Sequence, residues 1–341
     1  MDTTEHKDRP FTVSVVIPAY NIGELVSRAI DSVLAQTHQP DEIIVVDDGS
    51  ADDTADVIKS YGPKVIYIYQ ENLGLAGARN TGIKAATSQW IAFLDGDDEW
   101  LPDNLRLHAD VLKRNPDLVW SAGNFDNFLA GDNRRRPYIR PEKGLKLLGG
   151  KDYFDYFFDA YMNDAAGNAN TMIIKRGILH EAGLFRQELP FAEDTDLWFR
   201  IAMRWPQIGF VPQPVAVYHL QRPGSLMDFT KSAKRLEVIC NIVERSVALA
   251  KEHDRMDKFA PCADFLLRRV IRSSLFEYRM SNLVEDMLRR FDPLFSSGYK
   301  TFIRILTRFP RAAAFVLHLI SRTVRALNLR RRVVRPPRSS R

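Results

Sequence analysis

The chain of 341 residues is too long for one ordinary compact domain and suits one large domain with an extension. Its 45% hydrophobic and 27% charged residues are those of a globular protein, which excludes a disordered or collagen-like chain. The net charge of +5 hides an asymmetry: residues 293–341 hold twelve Lys or Arg and no Asp or Glu, leaving 36 basic against 43 acidic side chains on residues 1–292.

The first ten residues are polar and lack an apolar core, so no signal peptide is expected. Short β-branched runs follow at Val13–Ile17, Ile43–Val46, Val65–Tyr69 and Trp90–Leu94, with helical patterns near Glu24–Gln36, Asp53–Ser60 and Ala76–Ala86. This alternation predicts βαβ units around a mostly parallel sheet. Burial on both faces explains the near-continuous Val and Ile. Asn133–Gly150, rich in Arg, Pro and Gly, reads as a long surface loop, functional or disordered. A strand is predicted at Thr171–Ile174. A helix is predicted at Asp194–Arg204, where Leu197, Ile201 and Trp205 recur at helical spacing. Another apolar run, Val215–Tyr218, precedes His219. From about Thr230 the pattern is helical, which sets a domain boundary near Leu226. No apolar run approaches the ~20 residues of a membrane-spanning helix. Cys240 and Cys262 cannot define a disulfide framework, so a reducing cytoplasm is the expected compartment.

In parallel sheets ligands bind beyond the carboxyl ends of the strands. There the sequence places Pro18-Ala-Tyr20-Asn21, Asp47-Asp48-Gly-Ser50, Asn72 through Gly82 with Arg79, and Asp95-Gly-Asp97-Asp98. One Asp after a strand is commonly a turn former or helix cap. Four along one rim repel one another unless a cation joins them, and hard oxygen ligands select Mg²⁺ or Mn²⁺. An Arg beside them can take an anion in a bidentate contact, so the set describes a diphosphate site.

Five stretches together resemble the motifs of the family 2 glycosyltransferases, which have the GT-A fold: Val13–Asn21, Asp47–Ser50, Asn72–Gly82, Asp95–Asp97 and Glu193-Asp194. The resemblance covers roughly residues 12–225. It implies donor contacts for Pro18, Tyr20, Asp48, Arg79 and Asp95. Tyr20 would lie on the base, Asp48 would bond it, and Arg79 would lie near base and diphosphate. Asp97 would bind the metal that bridges the diphosphate, and Asp95 would support the ribose or the metal. Asp194, paired with Glu193, would be the catalytic base of an inverting single displacement. Asp194 also opens a predicted helix, where a plain N-cap is the alternative. Some GT-A enzymes use a late His as a metal ligand; His219 is either that or a packed side chain. Arg222 and Ser225 could lie on a loop over the donor.

The expected fold class is α/β, a GT-A domain over residues 1–225 followed by a helical basic extension over 226–341, the last twelve or so residues disordered. The expected activity is non-processive transfer from a nucleotide sugar, a UDP-sugar by preference, to a glycan or lipid-linked acceptor. The setting is cell-surface glycan or polysaccharide synthesis. A catalytically inactive sugar-nucleotide-binding module is the alternative. A dinucleotide oxidoreductase would want G-x-G-x-x-G after the first strand, and Pro18–Gly23 is not that. A processive synthase would carry Q-x-x-R-W, but Ile201 precedes Arg204-Trp205 at the Gln position. In the tail, Phe302, Ile305, Leu306 and Phe309 share one helical face, Pro310 should break the helix, and Ala312–Ile320 is long enough to lie on a bilayer but not cross it. Peripheral binding to anionic membrane and an ordinary helical subdomain both remain open. Few aromatics interleave with the arginines, so nucleic acid is not an expected partner.

Overall fold

The computed structural model describes residues 11–129, 134–220, 233–276 and 281–308. The first strands and helices alternate as expected: β1 (Val13–Ala19), α1 (Gly23–Leu34), β2 (Glu42–Asp47), α2 (Thr54–Lys59), β3 (Ile66–Tyr69), α3 (Gly74–Ala85) and β4 (Trp90–Phe93). These strands pair in parallel in the order β3-β2-β1-β4. The cause is burial. Every residue of β1 and β4 is buried, and Val26, Ala29, Ile30 and Val33 of α1 pack on Val13, Val15 and Ile17. β3 lies at the sheet edge, where Ile66 and Tyr69 are exposed.

Beyond β4 the sheet is mixed. β5 (Glu99–Trp100), α4 (Asn104–Arg114) and β6 (Trp120–Leu129) lead to β7 (Arg134–Pro137), α5 (Pro141–Leu148), β8 (Tyr153–Phe154) and α6 (Phe157–Met162). Then follow β9 (Met172–Lys175), α7 (Arg176–Glu181), α8 (Glu193–Arg204) and β10 (Ile208–Leu220). β9 lies antiparallel between β4 and β6, while β6 and β10 pair in parallel. The parallel pairing expected is thus interrupted by β9 and resumes between β6 and β10. Register shifts between Val211 and Ala216 fall where Pro212 and Pro214 lack ladder donors.

The loop expected over Asn133–Gly150 is instead structured. Its start is β7, hydrogen-bonded to β6, and its end is α5, opened by Pro141 and closed by Gly149 at a φ of 58°. A strand of four residues and a Pro-to-Gly helix of eight are both short, so the Arg and Pro content masked them.

Two compact units divide the chain. One takes in residues up to 231 and also Asn241–Cys262; the other takes in Ser232–Cys240 and the chain from Ala263. The helices here are α9 (Ala233–Glu252), α10 (Met256–Phe276), α11 (Ser281–Arg290) and α12 (Ser297–Arg308). Phe259 belongs with the first unit, its ring edge-on to Phe158 and Phe199. In the second unit Arg268 stacks on Tyr299 and pairs with Asp264, and Arg304 pairs with Glu285. On α12 the expected apolar face divides: Leu306 is buried with Ile303, while Phe302 and Ile305 are exposed. The boundary near Leu226, Arg222, Ser225, Phe309, Pro310, Ala312–Ile320 and the final basic stretch lie outside the described residues. Among the described residues, no helix is long and apolar enough to cross a membrane.

Candidate active site

The ends of β1, β2 and β4 form one rim. After β1, Tyr20 is 51% exposed, a flat surface open to a ligand. Asn21 holds a left-handed φ of 49°, a conformation Asn tolerates. Its amide N–H donates to Ser50 Oγ at 3.0 Å, and its Oδ1 accepts from the Ala51 N–H at 2.8 Å. Pro18 is buried within β1. After β2, Asp47 accepts from the Ser50 N–H and the Tyr67 hydroxyl, both at 2.9 Å. Asp48 is buried, and its Oδ1 accepts from Gln70 Nε2 at 2.5 Å and the Leu73 N–H at 2.8 Å. Gly49 has φ 80°, and a Cβ there would meet the Asn72 amide nitrogen at 3.0 Å, so the turn requires glycine.

The acidic turn after β4 packs tightly under this rim. A Cβ on Gly96 would lie 2.8 Å from the Pro18 carbonyl oxygen and 2.4 Å from Ile22 Cδ1, so Asp95-Gly96-Asp97 can approach β1 only with glycine at its centre. Asn170, just before β9, organises the turn. Its Oδ1 accepts from the Asp95 N–H at 2.6 Å, its Nδ2 donates to Asp98, and its carbonyl accepts from Trp100 Nε1 at 2.7 Å. Arg28 donates to the Asp97 carbonyl. Asp98 is buried and also accepts from the His219 N–H at 2.8 Å. Burial, then the charges of Asp97 and Asp95, push its carboxyl well above the usual range.

Arg79 is 2% exposed, with NH2 2.6 Å from Asp95 Oδ1 and NH1 2.6 Å from Glu193 Oε1. Both arms of its fork are thus engaged by carboxylates, whereas the sequence suggested an Arg turned toward a diphosphate. Burial pushes the Glu193 carboxyl up; Arg79 opposes that and Asp194 adds to it. Next to Arg79, Asn80 clamps Phe185 through both main-chain groups, at 2.8 and 2.9 Å. α3 therefore ties the acidic turn to the approach of α8. Ala192 caps α8 without a side-chain bond, in the left-handed region at φ 57°. Asp194 sits two positions inside the helix and accepts from the Thr195 N–H at 2.5 Å and its hydroxyl at 3.2 Å, so the plain N-cap arrangement is not realised.

Burial, and then the charges of Asp98, Asp95, Asp97 and Asp194, push the Tyr218 hydroxyl up. Neighbouring His219 is held below its usual value by burial and by Arg28, opposed by Glu99. Its Nε2 is 3.4 Å from Glu99 Oε1, at the limit of a contact and without hydrogen-bond geometry.

The donor set fits a divalent cation by chemistry: crowded carboxylates that repel one another, and a buried imidazole nitrogen without a hydrogen bond. Among the described residues, however, no three His, Cys, Asp or Glu side chains already converge as a ligand set. Sequence reasoning missed Asn170, Arg28, Gln70 and Tyr218. An isolated Asn in a loop, or a Tyr at a strand end, carries no spacing signal; only the fold brings each to the rim.

The family model described as Glycosyl transferase family 2 matches residues 14–177. Over those residues the chain matches the family 2 glycosyltransferases. An uncharacterized glycosyltransferase of Rickettsia conorii is 33% identical over 207 residues, which are 58% of this chain and 33% of that protein. The chain spans 33% to 58% of the length of the first curated relatives it matches. Among solved structures, residues 1–349 of Staphylococcus aureus TarS align with a TM-score of 0.65 at 18% identity, covering 89% of this chain and 88% of that one. The same TarS chain in complex with UDP-GlcNAc aligns at 0.58. The Pyrobaculum calidifontis mannosyltransferase PcManGT, in complex with GDP-Man and Mn²⁺, aligns at 0.52 and 18% identity, covering 92% of this chain and 88% of that one. The fold is accordingly GT-A.

Proposed function

We propose that this glycosyltransferase moves one sugar per encounter from a nucleoside diphosphate sugar, preferentially a UDP-sugar, to an acceptor hydroxyl, inverting the anomeric centre. The observation that carries the reading is the buried fork of Arg79, which meets Asp95 and Glu193 at 2.6 Å each and so ties the acidic turn after β4 to the Glu193-Asp194 start of α8. The ligands carried by the TarS and PcManGT structures, UDP-GlcNAc and GDP-Man with Mn²⁺, support a nucleotide-sugar donor and a divalent cation.

The exposed ring of Tyr20 receives the base, with Pro18 and Asp48 forming the wall behind it. Asp97, Asp95 and His219 would hold Mn²⁺ or Mg²⁺. The cation supplies charge stabilisation for the departing diphosphate. Arg79 acts from behind, holding Asp95 toward the donor and Glu193 beneath Asp194. Asp194, anchored through Oδ1 by Thr195, takes the proton of the attacking acceptor hydroxyl, a contribution of about 10²–10⁴ in rate. The reaction serves cell-surface glycan or polysaccharide synthesis at the inner face of the membrane. There the basic stretch after Asp292 attracts anionic lipid, by about 1 kcal/mol for each residue near the surface.

The test is a screen of nucleotide sugars for release of nucleoside diphosphate with Mn²⁺, followed by the Asp194→Asn variant on the best donor and its acceptor. Donor binding is retained and transfer falls by about 10²–10⁴. Transfer surviving within tenfold removes Asp194 from the base role.

A further inference from the structure

The β6–β7 edge continues outward from the acidic centre in a fixed register. Tyr218 on β10 pairs with Asn127 on β6, and Asn127 pairs with Arg136 on β7. Directly paired residues project from the same face of a sheet. Arg136 therefore shares the face of Tyr218, two strand spacings or about 10 Å away between main chains. Arg134 follows on that face by the two-residue repeat. Phe125, two residues before Asn127, meets the Tyr218 ring edge-on at 6.2 Å. Tyr138 stacks on Phe125, with centroids 4.6 Å apart and planes 14° apart, and is 45% exposed. Arg135 projects from the opposite face and pairs with Glu99 at 2.8 Å.

One strip thus runs from Tyr218, next to His219 whose N–H meets Asp98 at 2.8 Å, through Phe125 to exposed Tyr138 and the exposed arginines 134 and 136. An exposed aromatic ring offers an apolar face to a sugar ring. Arginine forks match phosphate and carboxylate oxygens. Arginines on an edge strand also hinder pairing with another chain. That role would not require an exposed tyrosine beside them or a common face with Tyr218.

We propose that this strip seats the acceptor, and that the acceptor is a glycan carrying an oxyanion, phosphate or carboxylate, beside the sugar that receives the transfer. This rests on the transferase reading and specifies its acceptor class. Tyr138 stacks the accepting sugar, Arg136 and Arg134 hold the oxyanion, and the free hydroxyl points back toward Asp194.

The experiment uses the full chain with nucleoside diphosphate and Mn²⁺. Three fluorescein-tagged probes are compared by anisotropy: neutral dextran oligomers, the same oligomers phosphorylated, and oligogalacturonates. At least one charged probe binds tenfold or more tightly than the neutral one, and which of the two does so distinguishes phosphate from carboxylate. Arg134→Ser/Arg136→Ser abolishes that preference. The same variant leaves donor hydrolysis without acceptor within twofold of the parent, a readout that a folding defect would also move. Arg330→Ser/Arg331→Ser/Arg332→Ser keeps the preference. Equal binding of charged and neutral probes overturns the proposal, as does a preference that survives Arg134→Ser/Arg136→Ser or disappears with the tail variant. Failure of the parent to release nucleoside diphosphate from any donor defeats the transferase reading itself, and the acceptor proposal with it.

Discussion

Arg79→Met removes the cation that joins two distant parts of the site while nearly preserving volume. The guanidinium is 2% exposed, and both partners lie at 2.6 Å. Glu193 is itself buried, so its carboxylate cannot recover solvation when Arg79 leaves. Breaking a buried pair from one side costs about 3–5 kcal/mol, because the remaining charge is uncompensated. At about 2–4 °C per kcal/mol, the melting temperature falls by roughly 6–20 °C. Glu193 can escape the penalty by taking a proton. Its folded pKa already lies above the unfolded one and rises further without Arg79, so the variant regains stability as pH is lowered. Glu193→Gln in the Arg79→Met background removes the stranded charge and should restore at least about 1 kcal/mol, within the usual coupling of neighbours. Urea unfolding followed by tryptophan fluorescence at pH 7.5 and 5.5 measures all three quantities. A loss below 1 kcal/mol for Arg79→Met, or strict additivity with Glu193→Gln, refutes the bridge as the element joining the acidic turn to α8.

Asp97→Ala should weaken the Mn²⁺-dependent part of nucleoside diphosphate binding at least tenfold by calorimetry; unchanged metal-dependent affinity removes Asp97 from the cation site. His108 is fully buried, with Nδ1 2.9 Å from Ser121 Oγ, and burial drives it down to about 3. Because the folded value lies below the unfolded value of about 6.5, its stabilisation is present above pH 6.5 and is lost as pH falls from there toward 3, by up to about 1.4 kcal/mol per unit. Between pH 7 and 5 the parent should lose about 2 kcal/mol more than His108→Gln in urea titrations, and parallel slopes would contradict this. Ala192→Gly relieves the left-handed residue before Glu193 and should raise stability by about 0.5–1 kcal/mol; a decrease of more than 0.5 kcal/mol would show that the φ is not strained.

The first half of the fold was legible because parallel strands buried on both faces write themselves as apolar runs, and β1, β2 and β4 lie within two residues of those runs. The rim was legible because chemistry there sits at strand ends. Beyond it, the strand expected at Thr171–Ile174, the helix expected at Asp194–Arg204 and the helices after Thr230 are present, but other features were not legible, for identifiable reasons. β7 exists through hydrogen bonds to β6, and its own residues Arg134–Pro137 carry no strand pattern. β9 inverts the sheet by slotting between β4 and β6, a pairing of segments far apart in sequence. Arg79 was legible as a site candidate but its ion pairs were not, since nothing local reveals that Glu193, 114 residues away, meets its fork.

The acidic residues at the rim divide by what holds them, and the division carries mechanistic content. Asp47, Asp48, Asp98 and Glu193 are buried and bonded to Tyr67, Gln70, Asn170 and Arg79 in turn. A carboxylate so held is costly to move, and it fixes main chain. Asp95, Asp97 and Asp194 are only partly buried. Each of these three is placed by a held neighbour: Asp97 by Asp98, Asp194 by Glu193, and Asp95 by Arg79 and by its N–H on Asn170. The pairing of adjacent acids in Asp97-Asp98 and Glu193-Asp194 therefore has a physical reason. On the proposed function, one member serves the framework and the other faces the ligand in a defined position without first being ordered by it. Preorganised charge of this kind needs no reorganisation when leaving-group charge develops. Substituting the held member of either pair should then impair transfer through geometry, while substituting the facing member impairs it through chemistry.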